Sequence, residues 1–147
     1  MSTLANLLRM KIYRGLFFSR PFMSTPTRVV VPDAKGSLLI EFSDGQEYTL
    51  PAEFLRVHSP SAEVRGHGEG NETLQFGKRN IIISSLEQAG NYALQIVFSD
   101  GHDSGIYSWE YLRKLAENQD AMWFAYLEKL HRAGLSRDSE SQVIKLQ

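Results

Sequence analysis

Apolar and polar positions alternate from Leu38 to Phe42, with Leu38, Ile40 and Phe42 on one side of the chain and Leu39 and Glu41 on the other. A period of two is the signature of a strand with one buried face. Ser43-Asp44-Gly45-Gln46 then supplies Asp-Gly turn chemistry and Glu47-Tyr48-Thr49-Leu50 runs back, so the stretch predicts a β-hairpin. Pro51, with its fixed φ and missing N–H, suits the first position of a helix, and Ala52 to Arg56 supplies about one turn. The segment from Ser59 to Asn71 is polar and carries Gly66, Gly68 and Gly70, which predicts an exposed loop. Ile81-Ile82-Ile83 and Ala93 to Phe98, separated by Gly90-Asn91, are expected to pair as a second hairpin.

The phrase Phe-Ser-Asp-Gly closes an apolar run twice, at Phe42–Gly45 and at Phe98–Gly101. Two readings fit: an ancient duplication, or one turn solution reached twice because Asp-Gly supplies the positive φ a tight turn needs, and the second is preferred. Past the second turn the period changes to that of a helix. Ser108 is placed to cap it and Glu110 lies at its positive end. Trp109, Leu112, Leu115 and Ala116 share one face, Trp123, Tyr126, Leu127 and Leu130 share another, and Gly134 is a stop signal. Asn118-Gln119-Asp120 marks either a break into two helices or a bend in one. Together these elements predict an α+β fold, a mostly antiparallel sheet built from two hairpins and covered on one face by C-terminal helical structure. The folded domain is expected over 28–134, with 135–147 as a flexible tail.

Composition narrows the chemistry. There is no cysteine, so this chain alone forms no disulfide, no thiolate nucleophile and no cysteine-held metal centre. The net charge of -1 hides an asymmetry: residues 1–22 hold Arg9, Lys11, Arg14 and Arg20 without an acid, and the remaining residues carry 12 basic against 17 acidic side chains. A body near -5 argues against nucleic acid as a partner. The basic segment 1–22 reads as a mitochondrial targeting peptide, a membrane-surface stretch, or upstream sequence ahead of a second beginning at Met23-Ser24-Thr25-Pro26. Its uncharged runs are far shorter than the roughly 20 residues of a membrane span. A cytoplasmic location is expected, mitochondrial only if residues 1–22 are a genuine targeting peptide.

The candidate chemistry centres on Asp100-Gly101-His102-Asp103. His102, with Asp100, Asp103 and His58 or His67, is a candidate for an oxygen-and-nitrogen metal site, and the competing reading has His102 hydrogen-bonding its own turn. His131, late in the last helix, reads as a favourable C-terminal cation. A Ser104, His102, Asp100 triad is disfavoured because such close neighbours do not converge on one reacting atom. Gly66-His67-Gly68-Glu69-Gly70 lacks the Lys-Ser/Thr ending of a phosphate loop. Arg56, Arg65, Lys78 and Arg79 are anion-site candidates set against ordinary solvated charges. Trp109, Tyr111, Trp123, Phe124 and Tyr126 exceed what one buried helix stripe takes, and the surplus points to a partner surface, self-association included.

The ordered motifs Leu50-Pro51-Ala52-Glu53-Phe54-Leu55-Arg56, Ser59-Pro60-Ser61, Gly77-Lys78-Arg79, Gly90-Asn91-Tyr92-Ala93-Leu94 and Asp100 to Trp109 resemble the gamma-butyrobetaine hydroxylase-like N-terminal domain family over roughly residues 28–117. The resemblance implies an accessory module, found alone, ahead of carnitine-pathway dioxygenases, or on iron–sulfur cluster carrier ATPases. In the dioxygenases it implies a structural zinc held by three cysteines and one histidine, and those positions fall here on Ser59, Ser61, Val64 and His102. Three of four ligands are replaced, so zinc of that kind is not expected. The dioxygenases' iron lies in another domain, so their activity does not transfer. The function expected is a non-catalytic binding or interaction module, not an enzyme, with a protein partner contacted through Asp100, His102, Asp103, Arg56, Arg79 and Trp109. No cofactor is expected. The alternative is a metal-binding accessory protein, with iron or zinc at His102, linked to iron–sulfur cluster handling.

Overall fold

The computed structural model describes residues 25–68 and 70–138. The readings made for residues 1–22 fall outside the described residues, as do Glu69 and residues 139–147. In chain order the elements are β1 (Pro26–Val30), β2 (Ser37–Phe42), β3 (Glu47–Pro51), α1 (Ala52–Val57), α2 (Ala62–Arg65), β4 (Ile83–Ala89), β5 (Ala93–Phe98), β6 (Ile106–Ser108), α3 (Trp109–Glu117) and α4 (Gln119–Ala133). The α+β architecture is as expected, but the two hairpins do not share a sheet. Each gains a third strand, giving two antiparallel three-stranded sheets, β1-β2-β3 and β4-β5-β6.

Register follows burial. Leu38, Ile40 and Phe42 are at most 1% exposed and Leu38 faces Leu50 across the β2–β3 pair, so slipping by one residue would turn this set to solvent. The second hairpin differs from expectation at its first strand. β4 starts at Ile83 instead of ending there, and Ser84, Ser85 and Glu87 on it are exposed. The apolar run Ile81–Ile83 therefore marked the entry to the strand, and the pairing Ala89↔Ala93 closes the turn at Gly90-Asn91.

The two Phe-Ser-Asp-Gly turns are the same object. In the first, the Gly45 N–H donates to Phe42 O (2.9 Å), the Phe42 N–H to Gln46 O (2.9 Å) and the Gln46 N–H to Asp44 Oδ1 (3.1 Å). In the second, Gly101 donates to Phe98 O (2.9 Å), Phe98 to His102 O (3.0 Å) and the His102 N–H to Asp100 Oδ1 (3.1 Å). Gly45 and Gly101 take φ of 86° and 85°, a region open to glycine. The likeness runs beyond the turn. A register shift interrupts β1 against β2 at Pro26/Arg28 and β4 against β5 at Ile83/Ser85, next to the turn phenylalanine in each sheet. Each third strand then leads directly into a helix, with Glu53-Phe54-Leu55-Arg56 in α1 and Glu110-Tyr111-Leu112-Arg113 in α3. A shared turn preference explains the turn alone; the repeated bulge and helix make the chain an internal βββα repeat.

The repeats lock one another. Arg56 Nε of the first lies 2.9 Å from Asp100 Oδ2 of the second, and Arg113 Nη2 of the second lies 2.9 Å from Asp44 Oδ2 of the first. Arg113 also stacks over Phe42, 4.9 Å from the ring centroid. Both sheets, α1 and α3 contribute to one apolar core that includes Phe42, Phe54, Phe98, Tyr107 and Leu112.

After the second repeat the helical run divides at Asn118. Its φ of -113° and ψ of 17° leave the helical region, and its Nδ2 caps the Lys114 carbonyl at 2.7 Å. Ser108 Oγ accepts from the Tyr111 N–H at 3.0 Å, as the capping reading requires, and Gly134 closes α4 at φ 66°. The segment expected to be loose begins with a docked stretch. The Gly77 and Arg79 N–H groups donate to Ser136 O and Arg137 O, and Arg137 grips Glu53 through two bonds of 2.9 and 2.6 Å. The cause lies in α1: Glu53 is buried by its helix and requires a cation. No helix among the described residues is long and apolar enough to cross a membrane.

The crossed pairs differ in depth, and their removal should differ accordingly. The Arg56 side chain is 8% exposed, so Asp100→Asn strands a buried guanidinium and should lower the unfolding free energy by about 3 kcal/mol in urea denaturation. Asp44 is nearly half exposed, so Asp44→Asn should produce a clearly smaller shift in the same measurement.

Candidate functional site

The second turn holds the residues with candidate chemistry, and the structure encloses the His102 side chain while Asp103 and Ser104 stay exposed. Asp100 Oδ2 receives both Arg56 Nε (2.9 Å) and Lys78 Nζ (2.7 Å). Burial acts to raise the Asp100 pKa, but hydrogen bonds from Lys78, the His102 N–H and Arg56 outweigh it and hold the carboxyl at about 2. Arg56 spends a further N–H on Gln75 Oε1 at 3.1 Å. The expected contact surface is thus turned inward: Asp100 and Arg56 are each other's partners. Arg79 instead pairs with Asp138 at 2.6 Å. Asp103 is exposed and joins no cluster, its carbonyl accepting from Gln95 Nε2 at 2.8 Å. Trp109 is 6% exposed and its indole N–H donates to Asn91 O (2.9 Å), so it belongs to the core.

The His102 side chain is 7% exposed. Its Nε2 lies 2.8 Å from Ser59 Oγ and its Nδ1 3.4 Å from Glu63 Oε2, which also accepts from Ser104 Oγ at 2.9 Å. Burial first, and then the Arg56 charge, press the His102 pKa below the usual imidazole range. The tautomer that satisfies both contacts has the Ser59 hydroxyl donating to Nε2 and the Nδ1–H turned to Glu63. Ser104, His102 and Asp100 form no triad, since Asp100 accepts the His102 backbone N–H while Ser104 bonds Glu63. The line that does form, Glu63, His102, Ser59, ends on a residue only 1% exposed.

Ser59, Ser61 and Val64 were expected in an exposed loop; they are buried around α2 instead. The backbone reason is the helical turn Ala62–Arg65, which folds the segment back so that Val64 reaches the interior. Ser59 fits against the second turn only because Gly105 lacks a side chain: a Cβ there would meet Ser59 Oγ well inside contact distance. Thus the four positions that the resemblance assigns to zinc ligands are gathered, with Ser59 and His102 in direct contact. The donor set does not fit the ion. One imidazole, two neutral hydroxyls and an aliphatic side chain do not make a zinc centre, and Ser61 Oγ is buried without a hydrogen-bond partner. Among the described residues no three His, Asp or Glu side chains assemble into a metal-ligand group either, because Asp100 is committed to cations and His58 and His67 lie elsewhere.

The open space adjoins this cluster, with Ser59 and Val64 among the residues that line it. A cleft of about 900 Å³ runs between residues 57–75 and the facing sides of α3 and α4. His58 lines it, with Nδ1 2.8 Å from the Phe54 carbonyl, so that ring nitrogen carries the proton and Nε2 is the remaining polar atom. Burial lowers the His58 pKa, opposed by the Phe54 carbonyl and assisted by the Lys129 charge. Arg65, Lys114 and Lys129 stand around the cleft, and Arg65 lies over the Tyr111 ring at 5.1 Å from its centroid. Tyr111 OH donates to His58 O and Tyr126 OH to Gln75 O, which pins the two walls together. Of the surplus aromatics, Trp123 and Tyr126 pack inward and Phe124 is 72% exposed, so the aromatic surface reduces to one ring. Sequence reasoning named Arg65 as an anion candidate and Tyr126 only among the aromatics of a partner surface, and did not name Lys114 or Lys129, since nothing in local spacing brings residue 58 against residue 126.

The family model described as gamma-butyrobetaine hydroxylase-like, N-terminal, matches residues 30–113. The chain belongs to that family. Its matched span begins at the last residue of β1 and ends within α3, so α4 and much of the cleft's second wall lie past it. Two solution structures determined by NMR are 48% and 41% identical to this chain, with TM-scores of 0.71 and 0.69. The alignments cover 85% and 88% of this chain and 98% and 97% of theirs. A crystal structure from Acidithiobacillus ferrooxidans, described as a protein with unknown function of the DUF971 family, is 32% identical with a TM-score of 0.55, over 67% of this chain and 98% of that one. No curated protein matches the chain.

Two measurements probe this geometry. Gly105→Ala should cost about 2 kcal/mol by overpacking against Ser59, and adding Ser59→Ala should recover part of that loss, so that urea denaturation of the double variant shows coupling. Because burial keeps His58 and His102 neutral in the fold, the unfolded chain binds more protons once the pH drops below about 6.5. Their contribution to stability is complete above that pH and is lost as the pH falls. The melting temperature should therefore decline from pH 7.5 to 5.5, less steeply in His58→Gln, and decline again below about pH 4 as Asp100 approaches its folded pKa of about 2.

Proposed function

We propose that this member of the gamma-butyrobetaine hydroxylase-like N-terminal family is a non-catalytic binding module that works without a metal. One observation carries the reading: the line Glu63, His102, Ser59 has the order of a hydrolytic relay, yet its terminal residue is 1% exposed and its Oγ is already engaged by His102 and by the Ser61 N–H at 3.3 Å. A nucleophile requires a substrate carbon beside it, and although Ser59 is among the residues that line the cleft, its Oγ faces His102 and the Gly105 position. The metal-handling alternative has weaker support, because the chain offers hydroxyls where a closed centre needs charged or aromatic donors. Binding is supported by what stays open, the cleft between residues 57–75 and the C-terminal helices.

The test uses the intact chain, purified without a histidine tag. Release of p-nitrophenolate from p-nitrophenyl acetate should equal that of Ser59→Ala, and metal analysis after dialysis should find zinc and iron well below one per chain. A Ser59-dependent burst, or a stoichiometric metal lost in His102→Ala, would overturn the reading.

A further inference from the structure

We propose that the cleft between residues 57–75 and the C-terminal helices binds a small organic anion, its carboxylate or phosphate group held by Arg65, Lys114 and Lys129 and its apolar body lying against Leu74, Met122 and Ala125. The inference rests on the binding-module reading and gives that module a ligand class.

The distribution of ion pairs carries it. Arg56, Lys78, Arg79, Arg113, Arg132 and Arg137 each hold an acid within the fold. Arg28, Lys35, Arg65, Lys114 and Lys129 pair with no acid among the described residues, and three of these five line the cleft. Acids outnumber bases by 17 to 12 in residues 23–147, so an excess of cations in one concave site runs against the charge of the rest of the chain. Glu72 is the one acid among the described lining residues, and its carboxylate, which feels the Lys129 charge, offsets one of the three cations and leaves the set net positive. Three cations against one acid in a concave site concentrate field lines on whatever enters, which favours an anion.

The remaining lining defines the rest of the ligand. At about 900 Å³ the cleft accommodates a small organic molecule, and Val57, Val64, Leu74, Met122 and Ala125 supply apolar wall. Tyr111 and Tyr126 have their hydroxyls committed to the His58 and Gln75 carbonyls, so their rings are fixed surfaces. His58, neutral with its proton on Nδ1, offers Nε2 as an acceptor for a hydroxyl or N–H on the ligand. A bare inorganic ion would use the cations and leave this apolar wall wet, which is why an organic anion is the class inferred.

The probe is 8-anilinonaphthalene-1-sulfonate, an aromatic anion whose fluorescence rises on leaving water, titrated into the folded full chain. Saturable binding at one site is expected, with a Kd on the order of 10–100 µM. Lys114→Gln with Lys129→Gln, both at exposed positions, should weaken it by about tenfold, while Arg28→Gln with Lys35→Gln leaves it unchanged. Glu72→Gln should tighten it. Benzoate and phenyl phosphate should each displace the probe, and whichever acts at lower concentration identifies the carboxylate or the phosphate as the preferred group. Absence of saturation, equal affinity in the folded Lys114→Gln, Lys129→Gln variant as judged by its melting curve, or displacement by neither competitor would overturn the inference. Those outcomes leave the binding-module reading standing, which only Ser59-dependent turnover or a stoichiometric metal removes.

Discussion

Two guanidinium groups cross between the halves of this molecule, each reaching from the helix of one βββα repeat to the turn of the other. Arg56 meets Asp100 and Arg113 meets Asp44, and each carboxylate is also the acceptor that holds its own turn closed through a backbone N–H. The arrangement couples local and long-range structure in one side chain. A turn whose aspartate is engaged on both oxygens cannot open without exposing a cation elsewhere, and at Arg56 that cation is buried. The helices that follow the third strands are therefore placed by the opposite repeat as much as by their own.

The fold was legible where a local signal had a local cause. Asp44-Gly45 and Asp100-Gly101 announced their turns, Ser108 announced its helix and Gly134 its end, because each acts through backbone bonds only a few residues long. What stayed hidden was non-local. β1 opens with a proline and β6 has three residues, so neither carries enough alternation to register alone, and each exists only by pairing with a stronger neighbour. The repeated Phe-Ser-Asp-Gly was visible as a phrase, but its meaning depended on the bulges at Pro26/Arg28 and Ile83/Ser85 and on the crossed arginines, none of which a turn motif encodes.

The site was legible in part and for the same reason. His102 was singled out from its turn, and the structure places its ring between Ser59 and Glu63. An Asp-Gly-His-Asp run reads as solvent-facing, yet α2 brings Ser59 and Glu63 over the imidazole, and Gly105 allows the approach. The family resemblance supplied the grouping of Ser59, Ser61, Val64 and His102 that spacing cannot. The structure adds that the Ser59 hydroxyl is in hydrogen-bond contact with His102 and with the Ser61 N–H, which joins the second turn to the segment between α1 and α2. Lys114 and Lys129 looked like ordinary solvated lysines because nothing near them in sequence differs from a helix surface.

Asymmetry between the repeats explains where binding chemistry sits. Within the βββα frame the charges that join the two halves, Arg56 with Asp100 and Arg113 with Asp44, neutralise one another. The chain departs from the repeat in two places, after α1 with residues 57–82 and after α3 with α4, and these are the segments that face one another across the cleft. Their contact is thin, made by Val57, Tyr126 and Leu130 with a few flanking apolar groups, apart from the main core. A small interface between two appended segments leaves concave space, into whose lining α3 contributes Lys114 beside Arg65 and Lys129 of the appended segments. The repeated frame thus holds the main core, and the segments that follow each copy, with α3, leave a cleft lined by Arg65, Lys114 and Lys129.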